Sequence, residues 1–155
     1  NQFTLFFWVR LEDLSTTQYL FSKWTGADGE SADGKIAVQT AAGNLTVYLV
    51  DAGGVYHWIT GRGVLSAQEW HAVAITFAAG RVAVYVNNEV VASQNMGFTK
   101  LYEDNAPLLV MTALAQTEEA YAYYNALGAI DDLRLYSRAL SPDEVALLAG
   151  PSSAE

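Results

Sequence analysis

Carboxylates, imidazoles and aromatic rings are the groups in this 155-residue chain whose chemistry could define a function. Several of the acids come in adjacent pairs, among them Glu12-Asp13, Glu103-Asp104, Glu118-Glu119 and Asp131-Asp132. Two carboxylates that flank one glycosidic bond must project from one face, and a strand provides that at i, i+2 spacing. Adjacent acids on a regular strand point to opposite faces. Asp131 and Asp132 are therefore not expected to work as a catalytic pair. His57 and His71 are the two histidines, and cysteine is absent. Two imidazoles make neither a triad nor a zinc site by themselves, and His71 reads as a hydrogen-bonded structural residue. No phosphate-cradling glycine loop occurs. Residues 25–35, TGADGESADGK, carry Asp28, Glu30 and Asp33 among glycines. Their spacing is not that of an EF-hand calcium loop, and a solvated loop is expected.

The aromatic residues carry a clearer signal. Sugars stack on exposed Trp and Tyr rings and are oriented by a few polar groups. In VYHWIT (55–60), Tyr56 and Trp58 share one strand face and His57 takes the other. Trp24 opens the acidic loop. TEEAYAYYNAL (117–127) sets Tyr121 and Tyr123 at i, i+2, with Tyr124 adjacent and Glu118, Glu119 and Asn125 nearby. Trp24, Tyr56, Trp58, Tyr121, Tyr123 and Tyr124 are the candidate ligand-binding residues. Trp8 and Trp70 read instead as packing residues.

Composition narrows the partners. Apolar residues make up 52% and charged residues 16%, enough for a packed core rather than disorder. A net charge of -9, with eight Lys and Arg, opposes a phosphate-backbone or anionic-membrane partner. No apolar run reaches the about 18 residues of a membrane span, so no membrane insertion is expected. Without cysteine, neither disulfides nor thiolate zinc sites are available. NLT at Asn44 is an N-glycosylation sequon, relevant in a eukaryotic secretory setting.

The elements that must hold these groups are strands. FTLFFWVRL (3–11) alternates Leu5, Phe7, Val9 and Leu11 against Thr4, Phe6, Trp8 and Arg10. Further strands are expected over 19–23, 35–40, 44–50, 55–60, 69–77, 81–86, 89–93, 107–114 and 128–136, separated by Gly and Asn turns. Closely spaced strands without helical crossovers indicate an all-β, two-sheet antiparallel sandwich or jelly roll. LSPDEVALLAG is one short C-terminal helix: Ser141 is the N-cap, Pro142 the first helical residue and Glu144 completes a capping box. The domain is expected over 1–150, with 151–155 a flexible tail.

Three segments together resemble the laminin G-like and concanavalin A-like lectin/glucanase jelly rolls. They are FTLFFWVRLEDL with QYLFSK, LSAQEWHAVAITFAAGRVAVYVNNEVVAS, and GAIDDLRLYSRALSPDEV. The last is also similar to the closing segment of pentraxins. The resemblance implies a jelly roll with lectin-like recognition. Glucanases of this fold bear a Glu-x-Asp-x-Glu-type strand, which has no counterpart here. The resemblance also implies calcium: in related jelly rolls an Asp at the start of the last strand and backbone carbonyls near the N-terminus hold the ion, and Asp131 matches that Asp. Family members carry a strand upstream of FTL, where this sequence has Asn1 and Gln2. Either the chain is a fragment or the edge beside residues 3–11 is open to a partner strand.

The expected protein is a non-catalytic, extracellular or cell-surface binding module for glycans, calcium-assisted. The alternative is a structural or adhesive subunit of a surface assembly or filament, joined by strand pairing at the open N-terminal edge to a like or unlike surface protein.

Overall fold

The computed structural model describes residues 2–24, 34–103, 105–116 and 121–150; the side chains at 24, 114–116 and 121–123 are outside that description. The acidic loop with Asp28, Glu30 and Asp33 and the expected tail at 151–155 also lie outside the described residues.

Two five-stranded antiparallel sheets face each other. In chain order the strands are β1 (Gln2–Leu11), β2 (Gln18–Trp24), β3 (Gly34–Ala41), β4 (Asn44–Val50), β5 (Tyr56–Gly61), β6 (Trp70–Ala78), β7 (Arg81–Val86), β8 (Glu89–Asn95), β9 (Leu108–Val110), β10 (Leu114–Gln116), β11 (Tyr121–Tyr123) and β12 (Gly128–Tyr136). Sheet one runs β12-β1-β6-β7-β8, sheet two runs β5-β4-β3-β2-β9, and β10 pairs with β11. Helix α1 spans Pro142–Ala149. It is too short to cross a membrane, and no helix among the described residues is long and apolar enough to do so.

Alternation fills the space between the sheets. Leu5, Phe7 and Val9 of β1 and Val73, Ile75 and Phe77 of β6 meet Val38, Val47 and Leu49 of sheet two in one buried cluster. The opposite face of sheet one is also dry. Phe6, Ala72, Ala74 and Tyr85 pack against Leu140, Val145 and Ala149, so α1 covers that face. Thr4 anchors the approach to the helix: its Oγ1 donates to Arg138 O (2.9 Å) and accepts from Leu140 N (2.8 Å). Ser141 caps α1 and the capping box with Glu144 is complete.

Hairpin turns set the registers. Ala42-Gly43, Ala79-Gly80 and Asn87-Asn88 all have positive φ at both central residues, the type I′ geometry that matches strand twist. At Gly80 an added Cβ would lie 2.5 Å from Phe98 O, so the turn needs glycine for space as well as for φ.

Four expectations are corrected. First, β1 is not an edge strand. It pairs with β6 on one side and β12 on the other, so the open N-terminal edge does not exist. β12, the last of the described strands, occupies that position. Second, residues 107–114 are not one strand. Met111 takes φ 60 and Thr112 turns its carbonyl to Ser22 Oγ (3.1 Å), which ends β9. The tyrosine segment then forms β11, paired with β10. Third, β12 is irregular at the acid pair. Phe6 faces Arg134 and Trp8 faces Asp131, so two residues oppose Phe7 in a β-bulge with Asp132 at φ 48. Fourth, Trp70 is no core residue: it opens β6 at the sheet end and is 44% exposed.

Candidate functional site

Sheet one is covered on its outer face by α1, and sheet two is not. Its inward residues Val38, Leu45, Val47, Leu49 and Ile59 leave the alternate positions pointing outward. Register aligns Trp58 of β5, Tyr48 of β4 and Ala37 of β3 in one row. Thr60, Thr46, Gln39 and Tyr19 form the next row. At strand spacing, the step from β5 to β2 covers about 14 Å.

This face combines rings with oriented polar groups. Trp58 is 63% exposed, far above what a packing indole shows. Gln39 Nε2 donates to Tyr48 Oη (3.0 Å), fixing the phenol above the sheet. Thr46 and Thr60 share a hydroxyl hydrogen bond of 2.9 Å. Tyr19 and Tyr124 sit with ring centroids 5.8 Å apart and planes tilted by 50°. Burial raises the Tyr19 phenol pKa, and the nearby phenols of Tyr48 and Tyr124 add to the rise. Three phenol groups thus converge on one part of the sheet. The wall beside them is the segment after β9: Met111 N donates to Leu20 O (2.9 Å) and Thr112 Oγ1 donates to Asn125 Oδ1 (2.7 Å).

A tight turn positions Tyr56 and Trp58. Asp51 Oδ1 accepts from Gly53 N (2.8 Å) and Val55 N (3.0 Å), while Oδ2 meets His57 Nε2 at 3.0 Å. The His57 bond, then the Val55 amide, hold the Asp51 pKa below the ordinary value. His57 faces the other side of β5 and packs its ring 4.4 Å from that of Phe98.

The candidate ligand residues fall into two groups. Trp58 and Tyr124 lie on this platform, and Tyr56 is half-buried at the end of β5 nearest the Asp51 turn. The side chains of Trp24, Tyr121 and Tyr123 lie outside the described residues. Sequence reasoning missed Tyr19, Gln39 and Tyr48. Their signal was alternation: each is a large polar-tipped residue at an outward position of a strand whose inward positions are apolar. Asp131 is exposed, and its Oδ1 accepts from Asp132 N (2.7 Å). Asp132 pairs with Arg134 Nε at 2.7 Å. No cluster of three His, Asp or Glu suited to a metal occurs among the described residues.

One cluster invites comparison with a nucleophilic triad: Ser66, His71 and Asn87. Asn87 Oδ1 accepts from Ala72 N (3.0 Å), and its Nδ2 lies 3.1 Å from His71 Nδ1. His71 Nε2 accepts from Ser66 N (3.1 Å) and lies 3.1 Å from Ser66 Oγ, whose hydroxyl donates to the Glu69 carboxylate. A general base needs its lone pair aimed at the hydroxyl proton of the nucleophile. Here that proton is aimed at Glu69, and the cluster serves to lock the 66–71 turn to the β7–β8 turn.

The two-sheet sandwich with one helix-covered face and one aromatic face defines a lectin-type jelly roll. The chain belongs to the concanavalin A-like lectin/glucanase superfamily, whose laminin G-type family model matches residues 1–146. No curated protein matches the sequence. Among solved structures, the Ruminococcus gnavus IT-sialidase CBM40 bound to alpha2,3 sialyllactose superposes with TM-score 0.74 at 18% identity, covering 96% of this chain and 83% of that one. The binding domain of Paraclostridial Mosquitocidal Protein 1 gives 0.71 at 20%, covering 96% and 36%. The botulinum neurotoxin serotype D ligand-binding domain in complex with N-acetylneuraminic acid gives 0.66 at 18%, also 96% and 36%. This chain therefore spans about a third of the toxin domains, and the likeness at these identities is of fold.

Proposed function

We propose that this domain binds carbohydrate across the outer face of sheet two and does not catalyse a reaction. The observation that carries the reading is the 63%-exposed Trp58 in register with Tyr48, beside the row of Thr60, Thr46, Gln39 and Tyr19. Flat rings accept the C–H faces of sugars, and the threonine hydroxyls and Gln39 amide offer directional partners for sugar hydroxyls. The distance across the platform suits an oligosaccharide. One structural neighbour is bound to alpha2,3 sialyllactose and another is in complex with N-acetylneuraminic acid, so alpha2,3 sialyllactose and neutral lactose are the first ligands to compare. Such a module works outside the cell or at its surface, where glycans are displayed.

Calcium is a second part of the proposal. Asp131 Oδ2 and main-chain carbonyls are hard oxygen donors of the kind the ion takes. Asp132 beside it is engaged by Arg134 and no group of three metal-binding side chains occurs among the described residues, so main-chain oxygens would carry most of the coordination.

The test is a glycan array followed by calorimetric titration of the best ligand. Trp58→Ala and Tyr48→Ala are expected to weaken binding about tenfold or more. Because the Trp58 indole is largely in water, Trp58→Ala should leave the melting temperature close to that of the parent. Equal affinity of parent and Trp58→Ala, or no glycan bound at all, would overturn the reading.

A further inference from the structure

The outer face of sheet two is open on one side and walled on the other. Trp58, Tyr48, Ala37 and Ser22 stand in one row across β5, β4, β3 and β2. Exposure along that row falls from 63% at Trp58 to 2% at Ala37 and 0% at Ser22. An outward position on a sheet stays dry only where something covers it. Over Ser22 the cover is the segment after β9: Ser22 Oγ donates to Thr112 O at 3.1 Å.

A short ladder makes that cover a wall. Met111 N donates to Leu20 O (2.9 Å), Ala113 and Tyr124 exchange backbone bonds of 3.3 and 3.0 Å, and Ala126 N donates to Met111 O (2.8 Å). β10 and β11 carry the same hairpin onward. Tyr124 is the hairpin residue that meets Tyr19, so the two rings form a corner, one in the floor and one in the wall. At the opposite margin β5 ends sheet two, with no strand beyond it among the described residues. The rings of Trp58 and Tyr48 form a row across the strands, and Thr60, Thr46 and Gln39 form a parallel one. A sugar chain that stacks on the first row while bonding to the second lies along both. It then runs into the wall.

We propose that this face reads the end of a glycan chain and not its interior. The inference rests on the reading of the face as a carbohydrate site. The terminal sugar sits in the corner of Tyr19 and Tyr124. The sugars behind it pass over Tyr48 and Trp58 and leave across β5. Glycans on a surface are attached through their reducing ends, so the end that enters is the non-reducing one. A further sugar beyond that end would have to occupy the volume of the wall, and the clash excludes it.

The experiment uses an array of matched glycans printed by their reducing ends. Each glycan appears with its parent terminus and again with one further sugar added there. The full chain is applied, and both members of the best pair are then titrated by calorimetry. The parent member is expected to bind about tenfold or more tightly than its extended partner. Trp58→Ala should weaken both members alike and keep their ratio. Tyr124→Ala removes the wall's ring, so it should weaken the parent member and shrink the ratio, with circular dichroism confirming the fold. Equal binding of parent and extended members would overturn the proposal, because the chain then passes the wall. A ratio that Tyr124→Ala leaves unchanged would also overturn it. An array with no bound glycan, or binding indifferent to Trp58→Ala, would instead overturn the carbohydrate reading of the face and this inference with it.

Discussion

At the residue scale, Glu144 does the most with one side chain. Its two oxygens receive Arg138 Nη1 and Nη2 at 2.8 and 2.6 Å, and Oε2 also accepts from Ser141 N at 2.8 Å. The Arg138 bonds first, and the Ser141 amide second, lower its pKa from 4.5 to about 2. A carboxylate depressed in the folded state stabilises the fold fully above its unfolded value, and the contribution disappears as pH falls through the folded value. The window is thus from 4.5 down to about 2. Glu144→Gln is expected to flatten the fall of melting temperature across that window while lowering it at pH 7. Thermal melts by circular dichroism from pH 2 to 7 measure both, and parallel curves for parent and variant would remove Glu144 from the account. The fully solvated setting makes the effect small and salt-sensitive.

At the element scale, the hairpins are where local sequence is under strain. Ala79 occupies φ 48 in the turn between β6 and β7, a region that costs an alanine more than it costs asparagine or glycine. Its side chain is exposed, so replacement disturbs no packing. Ala79→Asn turns Ala-Gly into the favoured Asn-Gly pair and should stabilise by about 0.5–1 kcal/mol, read from the shift in urea midpoint. A loss of stability would show that the turn is not of the type I′ form. The same scale explains the failure at β12. Alternation treats a strand as regular, but the 131–133 bulge places the extra residue by pairing with β1, which local spacing cannot reveal. Asp132 still meets Arg134 two positions on, as i, i+2 spacing allows, and the pair is structural.

At the scale of the whole molecule, the two outer sheet faces have different fates. The helix seals sheet one, and sheet two keeps Trp58 and its neighbours in water. Asp131 stands opposite Trp8 where β12 pairs with β1, so an ion held there would tie those two strands together. Calcium at that point should raise the melting temperature of the whole domain, since a ligand that binds only the folded state adds about 2.7 kcal/mol at a hundredfold excess over Kd. Chelator should reverse the rise, and Asp131→Asn should abolish it. Identical melts with calcium and with chelator would remove the ion from the fold. By itself, the sequence determined the strand periodicity, the Gly and Asn hairpin turns and the capped helix, because each depends on neighbours a few residues away, and the succession of strands along the chain gave the jelly-roll class. It also made Trp58 and Tyr124 visible as candidates, since aromatic rings among polar residues stand out locally. Only the tertiary structure decided that β1 is central, that Tyr19, Gln39 and Tyr48 join Trp58 on one face, and that the segment after β9 walls that face beside β2. These depend on which sheet the helix covers and on pairings between distant segments such as β1 with β12. Alternation assigns a residue to a face, but only packing decides whether that face meets protein or water.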